Sequence, residues 1–261
     1  MMSSELRHFL VIALLAVTAS AQGQVRVGGK VGTNYSIGSQ KIQPTPKDIP
    51  TNPKGLGLNF GAYLEVPFSE LVGLRPELGF SFRRMKTETT VSNSYNGQAV
   101  TMNTQQGQVQ GQFSGDENQV TETDQRLTYF QVNAPLTLSP AEGLRIMVGP
   151  SFNFLMGGRQ NTDVTYTLKG TFTPQGQQGQ TIDIENFESS KKKGSGAIKN
   201  FRKADIMAMA GLGYTLGVGF DMDLRYYRSL STTYDEAQGN NRYRIWTNLV
   251  EFAVGWTFGG G

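Results

Sequence analysis

The sequence predicts an all-β chain folded as an eight-stranded antiparallel up-and-down transmembrane β-barrel with long external loops. Three observations lead there: eight segments alternate apolar and polar residues with period two, the links between them run long and short in turn, and the polar faces hold matching numbers of cations and anions. Composition agrees. With 32 Gly, 15 Phe, 10 Tyr and 17% charged residues in 261, the chain is unlike a coiled coil or a disordered tail. Its length suits one domain.

The first 21 residues read as an export signal. Arg7 and His8 precede an apolar run over residues 9–17, and Ala19-Ser20-Ala21 supplies a small-x-small cleavage site. That run is too short to span a bilayer as a helix, which needs about 20 residues. Cleavage after Ala21 would divide the chain into a signal peptide, residues 1–21, and a barrel domain, residues 22–261. His8, the only histidine, departs with the signal, and the chain has no Cys. A mature chain lacking both residue types cannot build a Ser-His-Asp triad, a Cys-His dyad or an ordinary zinc centre. The expectation is a non-enzymatic protein with no cofactor and no metal. A formal charge of +3, from 24 basic and 21 acidic residues, also argues against a nucleic-acid partner.

The segments follow in order. Residues 25–35 set Val25, Val27, Val31 and Tyr35 against Arg26, Lys30 and Asn34. Residues 56–66 set Leu56, Leu58, Phe60, Ala62, Leu64 and Val66 against Gly57, Asn59, Gly61, Tyr63 and Glu65. Residues 74–83 oppose Leu74, Pro76, Leu78, Phe80 and Phe82 to Arg75, Glu77, Gly79, Ser81 and Arg83. Residues 127–138 oppose Phe130, Val132, Ala134, Leu136 and Leu138 to Tyr129, Gln131, Asn133 and Thr137. In residues 144–156, Leu144, Ile146, Val148, Phe152 and Phe154 face away from Arg145, Gly149, Ser151 and Asn153. Residues 204–216, with Asp205, continue the pattern. Residues 218–227 oppose Phe220, Met222, Leu224 and Tyr226 to Asp221, Asp223, Arg225 and Tyr227. Residues 244–258 oppose Trp246, Val250, Phe252, Val254, Trp256 and Phe258 to Thr247, Glu251, Gly255 and Thr257. An even number of strands allows antiparallel closure.

Short links fall at residues 67–71, 139–143 and around Gly217; long ones occupy residues 36–55, 87–126, 157–203 and 229–243. Outer-membrane barrels share this asymmetry between tight periplasmic turns and longer external loops. Arg26, Lys30, Arg75, Arg83, Arg145 and Arg225 meet Glu65, Glu77, Asp205, Asp221, Asp223 and Glu251 on the polar faces, six against six. Such a set suits a narrow lumen crossed by ion pairs, and eight strands leave just enough room for side chains to fill it. Trp246 and Trp256 share one face of the last segment, separated by roughly 33 Å at about 3.3 Å per residue. Tilted by about 40°, that becomes roughly 25 Å along the membrane normal, the height of the apolar band between aromatic girdles. Trp246, Trp256 and Phe258 are the expected girdle residues.

The chain resembles the PorT-like outer membrane β-barrel proteins of Bacteroidota. The matching stretches are VRVGGKVGTNYS at residues 25–36, GLNFGAYLEVPFSELVGLRPELGFSFRRMK at 57–86, LTYFQVNAPLTLSP at 127–140, GLRIMVGPSFNFLMGG at 143–158 and GLGYTLGVGFDMDLRYYRSLS at 211–231. They cover nearly every predicted strand and none of the long links. The resemblance implies an eight-stranded barrel in the outer membrane of a didermic bacterium, inserted by the barrel-assembly machinery. It also implies a C-terminal aromatic assembly signal, which here is Phe258. Namesake members assist a protein-secretion system.

Other motifs have plainer readings. Gly28-Gly29-Lys30-Val31-Gly32-Thr33 lacks the Ser or Thr that follows Lys in a phosphate loop and is better read as a curved strand. Asp221 and Asp223 share a face with Arg225, which favours ion pairs over a cation site. Lys191, Lys192 and Lys193 read as a solvated run that could meet lipopolysaccharide phosphates or another anionic polymer. Asn96-Gly97 is a hairpin-turn signal, and residues 162–173 and 181–187 alternate, so the long links could extend strands as hairpins above the membrane. The function these features predict is structural, adhesive or accessory to secretion or assembly, carried by external loops. Its partners would be outer-membrane lipid and lipopolysaccharide, and an extracellular or secretion-system protein. Two alternatives remain at this point: a small-solute channel, and a secreted soluble barrel binding an apolar ligand with its apolar faces turned inward.

Overall fold

The computed structural model describes residues 25–44, 50–104, 107–176, 181–217, 219–238 and 241–258. The signal segment, residues 1–21, lies outside the described residues, as do the three glycines after Phe258. The chain forms β1 (Arg26–Gln43), β2 (Lys54–Pro67), β3 (Val72–Leu74), β4 (Glu77–Thr104), β5 (Gly107–Asn133), β6 (Leu136–Ala141), β7 (Leu144–Pro174), β8 (Ile182–Ala197), β9 (Ala204–Leu216), β10 (Phe220–Ser229), β11 (Tyr234–Gln238) and β12 (Asn241–Phe258). Every pairing between them is antiparallel.

Closure is set by β1, which pairs with β2 on one side and with β12 on the other, from Val27 opposite Phe258 to Gln43 opposite Arg242. With β3 continued by β4, and β5 by β6, the wall runs β1, β2, β3/β4, β5/β6, β7, β9, β10, β12 and back to β1. This is an eight-stranded up-and-down barrel. Closure pairs the wall's backbone groups across its whole circumference, the condition for crossing lipid without a helix.

Side chains obey the alternation. Val31, Leu56, Leu58, Leu78, Val148, Leu212, Leu224 and Phe252 are exposed outward, whereas Lys30, Asn34, Glu65, Arg83 and Glu251 are buried inward. The soluble barrel with inward apolar faces is therefore excluded. Cross-strand aromatic contacts run round the belt through Phe60, Phe80 and Phe130, with ring centroids 5.6 Å apart at each step.

Two predicted strands are interrupted by proline. Pro76 and Pro135 cannot donate to a ladder, so β3 stops at Leu74 and β5 at Asn133. Neighbouring groups keep the wall continuous: Arg75 N–H donates to the Pro135 carbonyl at 2.9 Å, and Leu64 N–H to Pro76 at 3.0 Å.

In the long links the strands continue as hairpins, the reading that the alternation at residues 162–173 and 181–187 suggested, and most of their length is strand. β4 and β5 stay paired from Glu77 opposite Asn133 to Thr104 opposite Gly107, well past the apolar belt. Alongside them, β5 pairs with β7 out to Gly111 opposite Pro174, and β7 with β8. The result is a four-stranded blade ordered β4, β5, β7, β8. The segment of β4 beyond Glu88 contributes roughly 50 Å of it at about 3.3 Å per residue. Asn96-Gly97, read above as a turn, is instead a bulge. Gly97 takes φ of 65°, and the register shifts by one residue between Tyr95 and Gln98 while pairing continues. Phe113, Phe172 and Ile184 make a small core in the blade, with Tyr95, Val100, Val109 and Leu168 against it.

Outward orientation can be checked at Val254, which lies between Val31 and Met222 on the neighbouring strands. Val254→Arg is expected to cost about 2–4 kcal/mol, the cost of a cation near the midplane of the lipid face. Thr90→Arg, exposed on the blade, should stay within about 0.5 kcal/mol of the parent. Refolding titrations in lipid vesicles compare the two.

Candidate functional site

The lumen is where sequence-distant charges converge. Moving from the short-turn end along β4, the inward positions are Glu77, Gly79, Ser81, Arg83 and Met85: a charge first, small groups next, then a second charge and an apolar group last. Of the twelve charged residues assigned to the interior, eleven are buried, and Arg26 lies exposed at the rim with an ion pair to Glu65 at 3.0 Å.

Glu77 and Arg75 organise the short-turn half. Arg225 grips Glu77 with two hydrogen bonds, Nη1 to Oε2 at 2.6 Å and Nη2 to Oε1 at 2.7 Å, and donates a third to Asp223 at 2.7 Å. Lys30 Nζ reaches Glu77 at 2.7 Å and Glu251 at 3.2 Å. Arg145 donates to Glu65, Asp221 and Asp223, each at 3.1 Å. Arg75 is fully buried on the interrupted stretch between β3 and β4, with Glu65, Glu77, Asp221 and Asp223 3.4–3.9 Å away. Its guanidinium lies 3.7 Å from the centroid of Tyr63. Coulomb attraction and ring stacking hold this cation where hydrogen-bond geometry is poor.

Backbone approach is part of the design. At Gly213 an added Cβ would fall 2.4 Å from Asp223 Oδ1 and within 3.2 Å of the Arg145 guanidinium, so only glycine admits that pair. Tyr63 hydroxyl completes the layer by donating to Asp221 at 2.5 Å.

Above the charges lies an apolar layer that the charge inventory did not anticipate. Met147, Met207, Met209, Tyr227 and Leu249 are buried together in the lumen. Each methionine stands at an inward position of a polar-faced strand, which is the signal in the sequence that could have located it. Further out, Arg83 donates to Asn153 at 2.5 Å and lies over Tyr129 at 4.3 Å. Its carboxylate, Asp205, is 4.0 Å away and receives Ser229 and Ser231. Met85, Leu127 and Tyr129 then close the external mouth with Leu155, Ile198 and Phe201.

The remaining assigned residues lie outside this network. Trp246, Trp256 and Phe258 share the outward face of β12, with Trp256 and Phe258 at the short-turn end, and Trp256 packs on Phe220 at 6.4 Å. Lys191, Lys192 and Lys193 sit on β8 rather than in a loop; all are exposed, and Lys192 lies 5.6 Å from the Tyr166 ring. Residues 28–33, read as a curved strand, lie in the first half of β1. Among the described residues, no group of three His, Cys, Asp or Glu side chains is arranged to hold a metal ion.

Residues 20–235 match the family described as outer membrane protein beta-barrel domain. The chain belongs to this family. As a member of the outer membrane protein beta-barrel domain family, it resides in the outer membrane, with its belt in the lipid bilayer. No curated protein matches it in sequence. Among solved structures it is similar to the attachment invasion locus protein Ail of Yersinia pestis, with 13% identity over 88% of this chain and 99% of that one and a TM-score of 0.31. It is likewise similar to the Neisserial surface protein A, with 10% identity over 90% and 100% of the two chains and a TM-score of 0.33. A third is OprG of Pseudomonas aeruginosa, with 12% identity over 92% and 99% and a TM-score of 0.33.

Because Glu77 faces Lys30, Arg75 and Arg225 together, Glu77→Gln should cost about 3–5 kcal/mol, the usual loss when a buried ion-pair partner is removed. Arg26→Gln breaks a pair at the exposed rim and should cost less than about 1 kcal/mol. Urea unfolding of the vesicle-inserted protein ranks the two.

Proposed function

We propose that this is a non-enzymatic outer-membrane barrel, closed to solutes, whose external blade docks a protein partner by strand addition along β4. The observation behind this reading is the contrast between the blade's two edges. From Thr89 to Thr101, β4 has no charged residue and no proline, and beyond Glu88 it pairs, among the described residues, with β5 alone. β8, the opposite edge, carries Lys191, Lys192 and Lys193, and its pairing with β7 shifts register twice. Lysines and bulges are how sheets discourage pairing at an exposed edge, so β8 is guarded and β4 is left available. An extended partner segment would gain main-chain hydrogen bonds there, with specificity from alternate side chains.

The lysines of β8 then serve chiefly to block pairing, and attraction to anionic polymers is a secondary role. An adhesive or secretion-accessory task fits a blade better than it fits the barrel interior. Assignment to the PorT-like group rests on the order of the five sequence stretches. With it go removal of residues 1–21 on export, insertion by the barrel-assembly machinery and lipopolysaccharide as the surrounding outer-leaflet lipid. The channel alternative is disfavoured by stacked layers of buried side chains, from Arg75 and Arg225 to Met147 and Tyr227. In planar bilayers the protein should give no stable conductance; reproducible steps of porin size would overturn the closed-lumen reading.

Edge use can be read in intact cells with a photocrosslinking side chain placed at Val91 or at Lys192. A discrete adduct is expected from Val91 only, and Thr90→Lys with Ser92→Lys should abolish it while the protein keeps its heat-modifiable migration on gels. Equal adducts from both edges, or an adduct that survives the lysines, would sink strand addition at β4.

A further inference from the structure

Just above the apolar belt, the outward face turns basic in an unusual arrangement. Arg84 on β4 stands opposite Arg126 on β5, and Arg126 opposite Arg159 on β7. One step further along the strands, Lys54 on β2 stands opposite Lys86 on β4, Lys86 opposite Asp124 on β5, and Asp124 opposite Asn161 on β7. Two adjoining rows spanning four strands therefore hold five cations and a single carboxylate. Asp124 takes a bidentate grip from Arg84, at 2.7 and 2.9 Å, and lies 3.5 Å from Arg126. Lys54, Lys86 and Arg159 are exposed and have no ion-pair partner among the described residues.

Like charges directly opposite on neighbouring strands destabilise a sheet. Residues free to diversify on an exposed surface would not be expected to line up three arginines, so the row calls for an anion that meets them together. Planar guanidinium groups fit phosphate oxygens two at a time. The position selects the source of the phosphate. Leu56 on β2 stands level with Arg84, and Phe82 and Met156 lie immediately below the arginine row; all three are exposed on the outward face, so the anion meets the patch at the depth of a headgroup. Among the described residues the short-turn end has no basic counterpart: its outward wall positions include the apolar Leu64, Leu144, Leu216 and Phe258, and Arg26 turns to Glu65. Glu88, Glu122 and Asp163, facing one another a step above the basic rows, would repel an anion that approached from solution.

We propose that Lys54, Arg84, Lys86, Arg126 and Arg159 form a binding site for the phosphorylated headgroup of an outer-leaflet glycolipid. It lies on the β2–β4–β5–β7 side of the barrel. The proposal rests on the reading that the blade end faces outward, and it names the lipid chemistry that this side recognises.

The test uses the whole mature chain refolded in phosphatidylcholine vesicles doped with bisphosphorylated lipid A or with the same lipid stripped of phosphate, followed by mass spectrometry of lipid retained through extraction. The parent should retain the phosphorylated form at least about tenfold better, equivalent to about 1.4 kcal/mol. Arg126→Gln with Arg159→Gln should lose most of that preference, and Lys54→Gln with Lys86→Gln, which leaves the arginine row intact, should lose part of it. Equal retention of the two lipids by the parent, or an undiminished preference in both variants, would overturn the site. If inorganic pyrophosphate at millimolar concentration strips the lipid, the site recognises free phosphate and the lipid assignment is wrong. A parent that fails to insert into phosphatidylcholine alone would overturn the membrane reading itself, an outcome separable from insertion without lipid preference.

Discussion

Neutralisation inside a narrow lumen is the constraint from which the rest follows. Eight strands enclose a space that side chains fill, so every inward charge must find its counter-charge across the barrel. Glu77 meets Lys30, Arg75 and Arg225, which come from β1, the β3/β4 junction and β10. Three distant pieces of chain are thereby fixed to one carboxylate. A one-residue slip in any of these strands would turn its charges to lipid and its leucines to the lumen, so the ion pairs and the belt enforce the same register.

Much of this was legible in the residues. Alternation fixes which face a side chain occupies, and it assigned Arg75, Glu77, Asp221, Asp223 and Arg225 to one interior. Their mutual distances were not readable, because they depend on the stagger with which the sheet closes. Arg26 illustrates the limit: it has the inward parity of Lys30 but sits one step beyond the network, where the rim is open. The methionine layer is not legible from charge, although Met147, Met207 and Met209 break the polar pattern of their own strands. The long links are only partly legible for a different reason. Residues 87–126 are rich in Thr, Ser, Asn and Gln and have only a sparse apolar set, Val91, Tyr95, Val100, Val109 and Phe113, so hydrophobic periodicity fades while backbone pairing persists. What continues the strands there is cross-strand contact, such as Ser94 with Asp116 at 2.7 Å and Tyr95 with Glu117 at 2.5 Å.

The apolar layer separates two electrostatic systems. On its short-turn side five acids and the cations Lys30, Arg75, Arg145 and Arg225 neutralise one another with the help of Arg26; on its blade side Arg83 and Asp205 form a smaller polar cluster. Between them the thioethers and Tyr227 fill irregular space, a task suited to flexible, polarisable methionine. A solute passing through would have to displace both the ion pairs and this packing.

Among the described residues the wall is paired all round, and one-sided edges lie in the strand extensions beyond it: the outer end of β1, β11 and the blade. In the blade the two edges come from the same sheet but have opposite chemistry. β8 is charged, bulged and joined back to β9 through a short link, whereas β4 emerges from the lipid headgroup level as a run of Thr, Val, Ser and Asn. Below that run stand Arg84 and Lys86, and Glu88 is its last charge before the edge becomes neutral. One strand thus passes in turn through the neutralised lumen level, the lipid belt, a basic tier and an uncharged edge. The change from one environment to the next is set by which residue type occupies each alternate position, with the backbone geometry held constant. On the proposed reading, a single continuous β4 thereby anchors the barrel, contacts the membrane surface and offers an edge for pairing without any hinge between those tasks.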